Sequence, residues 1–509
     1  MAAEKPKLDG YVAMLAFFYE KMYSVFSTSK RDAFVSYDTH FSYDEMFQNM
    51  LKINSVLTQF HNHRLVVYAN KEFPTYCALF ATILSGNTWV PMNPSLPAKR
   101  VMEMMSLAEP SVILTDRDLP DIMTEYVATK GITVYRLQEV LDGDDKAEFD
   151  LDRIEPNNDA IIYFTSGSTG MPKGVPLTHA NYCNTVNNLL DLLPFNKGEV
   201  FADYHDFGFV ISIPILFPCV MTESAFSPAL NDMDLLMPGN HLGENKVTVL
   251  ITVPSTIANL RRLRPDGLPD VKLNILINCG EPLHLDILDY CLNKLDASQI
   301  NNFYGSTEVS CWTFRHLCKE EDLKRFEQFG VIPIGNVLPG TQMQVTKDEE
   351  LMVSGRQITA GYLNDVNPES FVMENSTYWF RTGDKVVPFQ DMWICKGRLD
   401  SQVKISGYRI ELTDTEAHLR AMKDVDAAVC FVSGEDATRF IVAILHSTEN
   451  VDVRQVRTFL ADRLPSYMFP KQIICKAEMP LNKAGKIDRA GLKAAYFDGS
   501  LSRDIATPE

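Results

Sequence analysis

The chain has no cysteine pair at CxxC spacing among its ten cysteines, so a zinc site or a disulfide scaffold is not expected, and a reducing compartment fits. It has no basic stretch followed by an apolar run at its start, "MAAEKPKLDG", which argues against a secretory signal. It lacks any apolar run long enough to span a bilayer. The apolar stretch "FGFVISIPILFPCVM" (207–221) contains two prolines and reads as a buried segment. Positive charge is scarce: the formal net charge is −18, which argues against a general nucleic-acid binder. Repeats and low-complexity tracts are also missing. These absences leave a cytoplasmic globular protein, and 509 residues exceed one ordinary core, so at least two domains are expected.

The charge is uneven. From Ser401 onward there are 15 basic and 15 acidic residues, so the whole deficit lies in the first 400. Short apolar runs at 64–70, 111–116, 160–166, 248–254 and 273–280 read as buried strands. Helical patterns at 72–84, 178–193 and 283–295 fall between them, which predicts parallel sheets covered by helices, an α/β fold. The acidic stretch at 141–156 reads as a solvated connection. Near 396–412 the pattern shifts to shorter, mixed elements, and a domain boundary is placed at about Asp400.

One stretch stands out: "YFTSGSTGMPKGVPLTHANY" (163–182) follows a predicted strand and precedes a helix beginning near Thr178. Gly167 and Gly170 expose backbone N–H groups, Thr165, Ser166, Ser168 and Thr169 add hydroxyls, and Lys173 supplies a cation. Such a set suits phosphate oxygens. It is not a Walker A sequence, because no GxxxxGK[ST] spacing occurs. "NNFYGSTEVS" (301–310) sets an aromatic beside a hydroxyl and a carboxylate, which suits a base, a phosphate and Mg2+. "YWFRTGD" (378–384) ends in a carboxylate able to accept ribose hydroxyls. "GRLDSQVKISGYRIEL" (397–412) adds Arg398, and "PLNKAGKIDR" (480–489) puts Lys486 on a glycine turn.

Taken in order, with "NTWVPMNPSLPAKRV" (87–101), "LMVSGRQITAGYLN" (351–364) and "LPSYMFP" (464–470), these segments resemble the adenylate-forming superfamily over nearly the whole chain. The nearest resemblance is to amino-acid adenylation domains and stand-alone D-alanine–carrier protein ligases. It implies a large N-terminal domain, 1–399, of helix-covered sheets that binds ATP and an amino acid. A small mobile α+β domain, 400–509, follows, with a hinge at Asp400. It further implies that Thr165 to Lys173 close over the ATP phosphates. Asn302 and Tyr304 would contact adenine, Thr307 the α-phosphate, Glu308 the Mg2+, Asp384 the ribose, and Arg398 ribose or phosphate. Lys486 would bridge the substrate carboxylate and the α-phosphate as charge builds at phosphorus, which needs fixed cations and no proton-transfer base. The family's Asn-Gly-Lys stands here as Ala484-Gly485-Lys486. In the second half-reaction Gly407 would line a pantetheine tunnel, the alternative being a plain turn glycine.

For the substrate, the resemblance sets Asp206 against an α-ammonium. The neighbouring His205-Asp206-Phe207-Gly208 also resembles fatty acyl-AMP ligases, but Gln402, Lys404, Gly407, Arg409, Ile410 and Glu411 match the amino-acid branch. The implied pocket comprises Asp206, Phe207, Val210, Thr252, Ile277, Cys279, Phe303, Cys311 and Trp312. Trp312 and Phe303 would leave room only for a small side chain, glycine first and D- or L-alanine next. Cys279 and Cys311 are expected as walls, not nucleophiles, and His179 as a cap or packing residue. The expected partner is a separate carrier protein, since the chain ends at Glu509 without room for a fused one; neither nucleic acid nor membrane insertion is expected. The rival readings are a fatty acyl-AMP or acyl-CoA ligase, a luciferase-like oxidoreductase, and a non-catalytic binding module.

Overall fold

The computed structural model describes residues 9–167, 170–363, 368–399, 402–423, 425–434, 438–447, 451, 453–480 and 487–501. The chain divides into two compact units. The first comprises Met1–Pro94, Met105–Phe164 and Gly174–Leu399; the second comprises Ser95–Met104, Thr165–Lys173 and Asp400–Glu509.

The first unit is α/β. Among the described residues, a nine-stranded sheet runs in the order Asn336–Val337, Phe314–Leu317, Asp296–Tyr304, Lys272–Cys279, Val249–Thr252, Val200–Asp203, Ala225–Pro228, Asp32–Ser36, Thr39–Ser42. The strands from Asp296–Tyr304 to Asp32–Ser36 are all parallel, and antiparallel pairs close both ends. A second sheet has the order Thr133–Arg136, Val112–Thr115, Arg64–Tyr68, Thr88–Met92, Asp159–Thr165, Lys173–Thr178, with its first five strands parallel. Helices on both faces bury these strands, which is why they read as continuous apolar runs and not as alternating ones. The helix Phe73–Leu84 is buried almost all round, and so is Ser212–Met221, the proline-containing apolar stretch. A third, antiparallel sheet joins Thr341–Val345, Glu350–Gly355, Thr377–Phe389, Phe371–Glu374 and Met392–Arg398.

One element departs from the sequence reading. A strand, Lys173–Thr178, separates the glycine-rich loop from the helix His179–Leu192. The loop therefore joins two strands and does not open on a helix N-terminus. The helix end is closed by its own capping box, Thr178 with Asn181, which satisfies the N–H groups that a phosphate would otherwise meet.

The second unit is α+β. The hairpin Gln402–Ile405/Tyr408–Glu411 turns through Ser406 and Gly407, both at positive φ (51° and 79°), the signature of a type I′ turn. A three-stranded sheet, Ala427–Ser433, Phe440–His446 and Gln472–Lys476, packs with the helices Leu412–Arg420, Val453–Ala461 and Arg489–Phe497. Buried Glu416 pins the last helix: Arg489 Nη1 donates to it at 2.9 Å and the Cys430 N–H at 2.7 Å.

Candidate active site

Parallel strands gather ligands at their C-terminal ends, where loops diverge and backbone groups are free. In the first unit the nucleotide-type residues lie there. Asp296–Tyr304 ends in Asn302, Phe303 and Tyr304, followed by Gly305, Ser306 and a single 3-10 turn, Thr307–Val309. The chain doubles back so tightly that a Cβ on Gly305 would lie 2.0 Å from the Cys311 carbonyl oxygen and 2.7 Å from Trp312 Cα. Cys311 itself holds φ +93°, a left-handed conformation rare outside glycine. This strained return brings Trp312 back against the strand it left.

The antiparallel register sets Asp384 opposite Arg398. Arg398 Nη1 donates to Asp384 Oδ1 at 3.3 Å and to the Thr382 carbonyl at 2.7 Å, while the Tyr304 hydroxyl donates to Asp384 Oδ2 at 2.5 Å. Burial and then the Asp384 charge push the Tyr304 phenol well above its usual pKa, so it stays a donor. Tyr304, Asp384 and Arg398 thus form one cluster. Glu308 is fully buried and accepts from the Tyr362 hydroxyl at 2.8 Å. Between them, Ser306 Oγ is buried without a partner among the described residues, an atom that a polar ligand would satisfy. Asn302 Nδ2 donates to the Pro333 carbonyl at 2.9 Å, and Thr307 is buried.

The residues predicted for the substrate fall on two sides of the same strand ends. Asp206 lies beyond the strand Val200–Asp203. The Gly208 N–H donates to its Oδ1 at 2.7 Å and the Asn93 amide to its Oδ2. It has no ion pair among the described residues. A cavity of about 50 Å3 beside it is lined by Asn70, Lys71, Trp89, Asn93 and Phe207. Phe207 packs edge-on against Tyr76 and Trp89, at 5.0 and 5.8 Å between ring centroids.

Ile277, Cys279, Phe303, Cys311 and Trp312 are buried in one apolar cluster, with Val210 packed on it. Phe303 stacks on Trp312 with ring centroids 4.3 Å apart and planes 28° from parallel. Thr252 is the exception. Its register partner is Asn278, whose own partner is Asn302, whereas Cys279 pairs with Phe303. Side chains alternate faces along a strand, so Thr252 shares a face with Asn278 and Asn302 and not with Cys279. Thr252 meets Cys279 through its carbonyl, which accepts from the thiol at 3.6 Å.

In the second unit, a Cβ on Gly167 would lie 2.1 Å from the Met171 carbonyl oxygen, so this glycine is needed for the fold of the loop. Ser166 Oγ donates to the Arg409 carbonyl at 3.1 Å and accepts from the Glu411 N–H at 2.9 Å. Arg100, which is buried, donates to the Gly170 carbonyl at 2.8 Å and pairs with Asp414 at 3.0 Å. Thr165 ends its strand and Lys173, also buried, opens the next. Gly407 occupies the hairpin turn. Ser168, Thr169, Asp400 and Lys486 lie outside the described residues.

Sequence reasoning did not single out Lys71, Asn93, Asp203 or Tyr362. Asn93 directly follows the strand Thr88–Met92 and Lys71 lies three residues beyond Arg64–Tyr68, and that position was the available signal.

By its family and its relatives, this α/β chain with its smaller α+β unit is an ATP-dependent, AMP-forming ligase. The chain belongs to the AMP-binding enzyme family, which matches residues 24–363. Among curated relatives, it is similar to a protein of Staphylococcus epidermidis named D-alanine--D-alanyl carrier protein ligase. The two are 28% identical over 440 residues, covering 84% of this chain and 88% of the relative. The protein of the same name from Staphylococcus haemolyticus is 26% identical over 479 residues, covering 91% and 96%. Among solved structures, the Vibrio cholerae adenylation domain AlmE in complex with glycyl-adenosine-5'-phosphate has the same fold. It superposes with a TM-score of 0.77 at 19% identity, covering 97% of this chain and 99% of that one. No helix among the described residues is long and apolar enough to cross a membrane.

Proposed function

We propose that this enzyme activates a small amino acid with ATP to an aminoacyl-AMP and then passes the aminoacyl group to the phosphopantetheine thiol of a separate carrier protein. The observation that carries the substrate class is Asp206. Its carboxylate is held by two neutral donors, Asn93 and the Gly208 N–H, and by no salt bridge among the described residues. The nearest cation, Lys71, is paired at contact distance with Asp203 and acts on Asp206 only at longer range, so a substrate ammonium would supply the direct partner that Asp206 lacks. The stacked pair Phe303 and Trp312 fills space that a large side chain would need, which favours glycine, with D- or L-alanine next. The names of the two staphylococcal relatives support the alanine option and the carrier partner.

In this reading Tyr304, Asp384 and Arg398 hold adenine and ribose, with Asn302 beside the base and Thr307 at the α-phosphate. Thr165 to Lys173 grip the departing pyrophosphate. The metal would be Mg2+ arriving with the nucleotide, bound by phosphate oxygens and Glu308, and it would neutralise charge on the phosphates. Lys486, on a C-terminal domain hinged at Asp400, would balance charge on the α-phosphate. Gly407 would then border the pantetheine.

Amino-acid-dependent exchange of pyrophosphate into ATP tests the first half-reaction. Exchange with glycine or alanine is the expected result, and exchange with fatty acids alone would replace this reading by an acyl-AMP ligase.

A further inference from the structure

Behind Asp206 stands a second buried charge pair. The Lys71 ammonium lies 2.6 Å from Asp203 Oδ1 and donates to the backbone carbonyls of Asp203 at 2.8 Å and His205 at 2.5 Å. Two of its hydrogens thus go to backbone carbonyls of residues 203–205, and its charge sits against the Asp203 carboxylate. Asp203 is fully buried, and the Tyr76 hydroxyl donates to its other oxygen at 2.5 Å. Tyr76 also packs against Phe207, and Lys71 lies over the Phe207 ring at 5.2 Å. The chain from Asp203 to Phe207 is thus clamped by Tyr76, in the first turn of the helix Phe73–Leu84, and by Lys71, two residues before that helix.

We infer that Lys71 is a positioning residue for substrate selection: it fixes the segment carrying Asp206 and is paired with Asp203, so that Asp206 keeps no contact ion pair of its own. This rests on the amino-acid reading above. The charges facing the segment are Asp203, Lys71 and Asp206, together with His205. Burial, reinforced by Lys71, lowers the His205 pKa to about 3, so His205 is neutral. Lys71 meets Asp203 at contact distance and Asp206 only at longer range, which leaves Asp206 as the carboxylate for an amine-bearing substrate to pair with. Lys71 is committed to the Asp203 carboxylate and to two backbone carbonyls, which argues against a role in binding the substrate carboxylate or phosphate. A carboxylic acid without an amine would leave Asp206 unpaired.

The test compares wild type with Lys71→Met, Lys71→Arg and the double variant Lys71→Met/Asp203→Asn, using pyrophosphate exchange with glycine, D-alanine, acetate and octanoate. Loss of two charged hydrogen bonds to the segment is expected to raise KM for the amino acid about tenfold or more in Lys71→Met. KM for ATP should stay within twofold, a split that general misfolding would not produce. Lys71→Arg should recover part of the loss. If Lys71→Met does not fold because Asp203 is left charged and unpaired, the double variant, neutral at both positions, carries the same expectation. An amino-acid KM within twofold of wild type in a folded variant would overturn the role of Lys71 while the proposed function stood. Exchange by wild type with acetate or octanoate but neither amino acid would overturn both.

Discussion

Trp312 is the residue at which size selection is most directly tested. Replacing it by alanine removes a ring that is 3% exposed and stacked on Phe303 at 4.3 Å. Truncating a buried Trp costs about 3–5 kcal/mol, of which the aromatic pair accounts for roughly 0.5–1.5. That is a sizeable share of the total for an ordinary domain, about 5–15 kcal/mol. A substrate that refills the space recovers part of the loss. Leucine carries four more carbons than glycine, and at roughly 0.8 kcal/mol per buried carbon, full occupation is worth about 3 kcal/mol. Every 1.4 kcal/mol is about tenfold, so the ceiling on the change in the leucine-to-glycine ratio of kcat/KM is on the order of a hundredfold. Incomplete filling brings the expected rise nearer tenfold. Pyrophosphate exchange with glycine, alanine and leucine measures the ratio, and a thermal melt confirms that the variant folds. Trp312→Leu offers a milder truncation where alanine proves too damaging. If a folded variant keeps the wild-type ratio, the indole does not bound the substrate and the glycine reading loses its basis.

Three further outcomes are expected. Gly305→Ala drives a methyl into two backbone atoms of the pocket wall and should cost about 3 kcal/mol, read as a lower urea midpoint together with lost exchange activity. Tyr304→Phe deletes the donor to Asp384, a charged hydrogen bond worth about 1.5–3 kcal/mol; KM for ATP should rise about tenfold while that for the amino acid stays within twofold, and the reverse split would place Tyr304 elsewhere. His179 is fully buried and His205 half-buried, and desolvation lowers the pKa of each to about 3, below the unfolded value of about 6.5. Their neutral forms thus contribute stability that is complete above about pH 6.5 and falls away as the pH drops toward 3, by roughly 1.4 kcal/mol per unit for each. All four tryptophans lie in the first unit, so their fluorescence during urea unfolding at pH 7, 6 and 5 reports that unit, and His179→Gln should flatten the pH dependence by about half.

Local patterns carried much of this in the sequence. The runs around Leu65, Ile113, Ile161, Leu250 and Ile275 are strands because β-rich apolar segments buried on both faces have few alternatives, and Thr178 closes the helix that follows it through its own side chain. The ordered motifs around Tyr304, Asp384 and Arg398 announced nucleotide chemistry before any geometry was known. The strand Lys173–Thr178 was missed because the glycines and prolines around it read as a continuous loop, although Val175 and Leu177 already alternate inward.

What only the tertiary structure decided follows from pairing between distant segments. Parallel strands are joined by long crossovers, so their register is not written in any one segment. That register puts Thr252 on the face of Asn278 and away from Cys279. It also brings Lys71 to the carbonyls of Asp203 and His205, more than 130 residues along the chain. Asp206 could be named from the family resemblance as a candidate anchor for a substrate charge. Whether it had a contact ion pair of its own depended on which carboxylate a distant lysine met, and only the fold determines that.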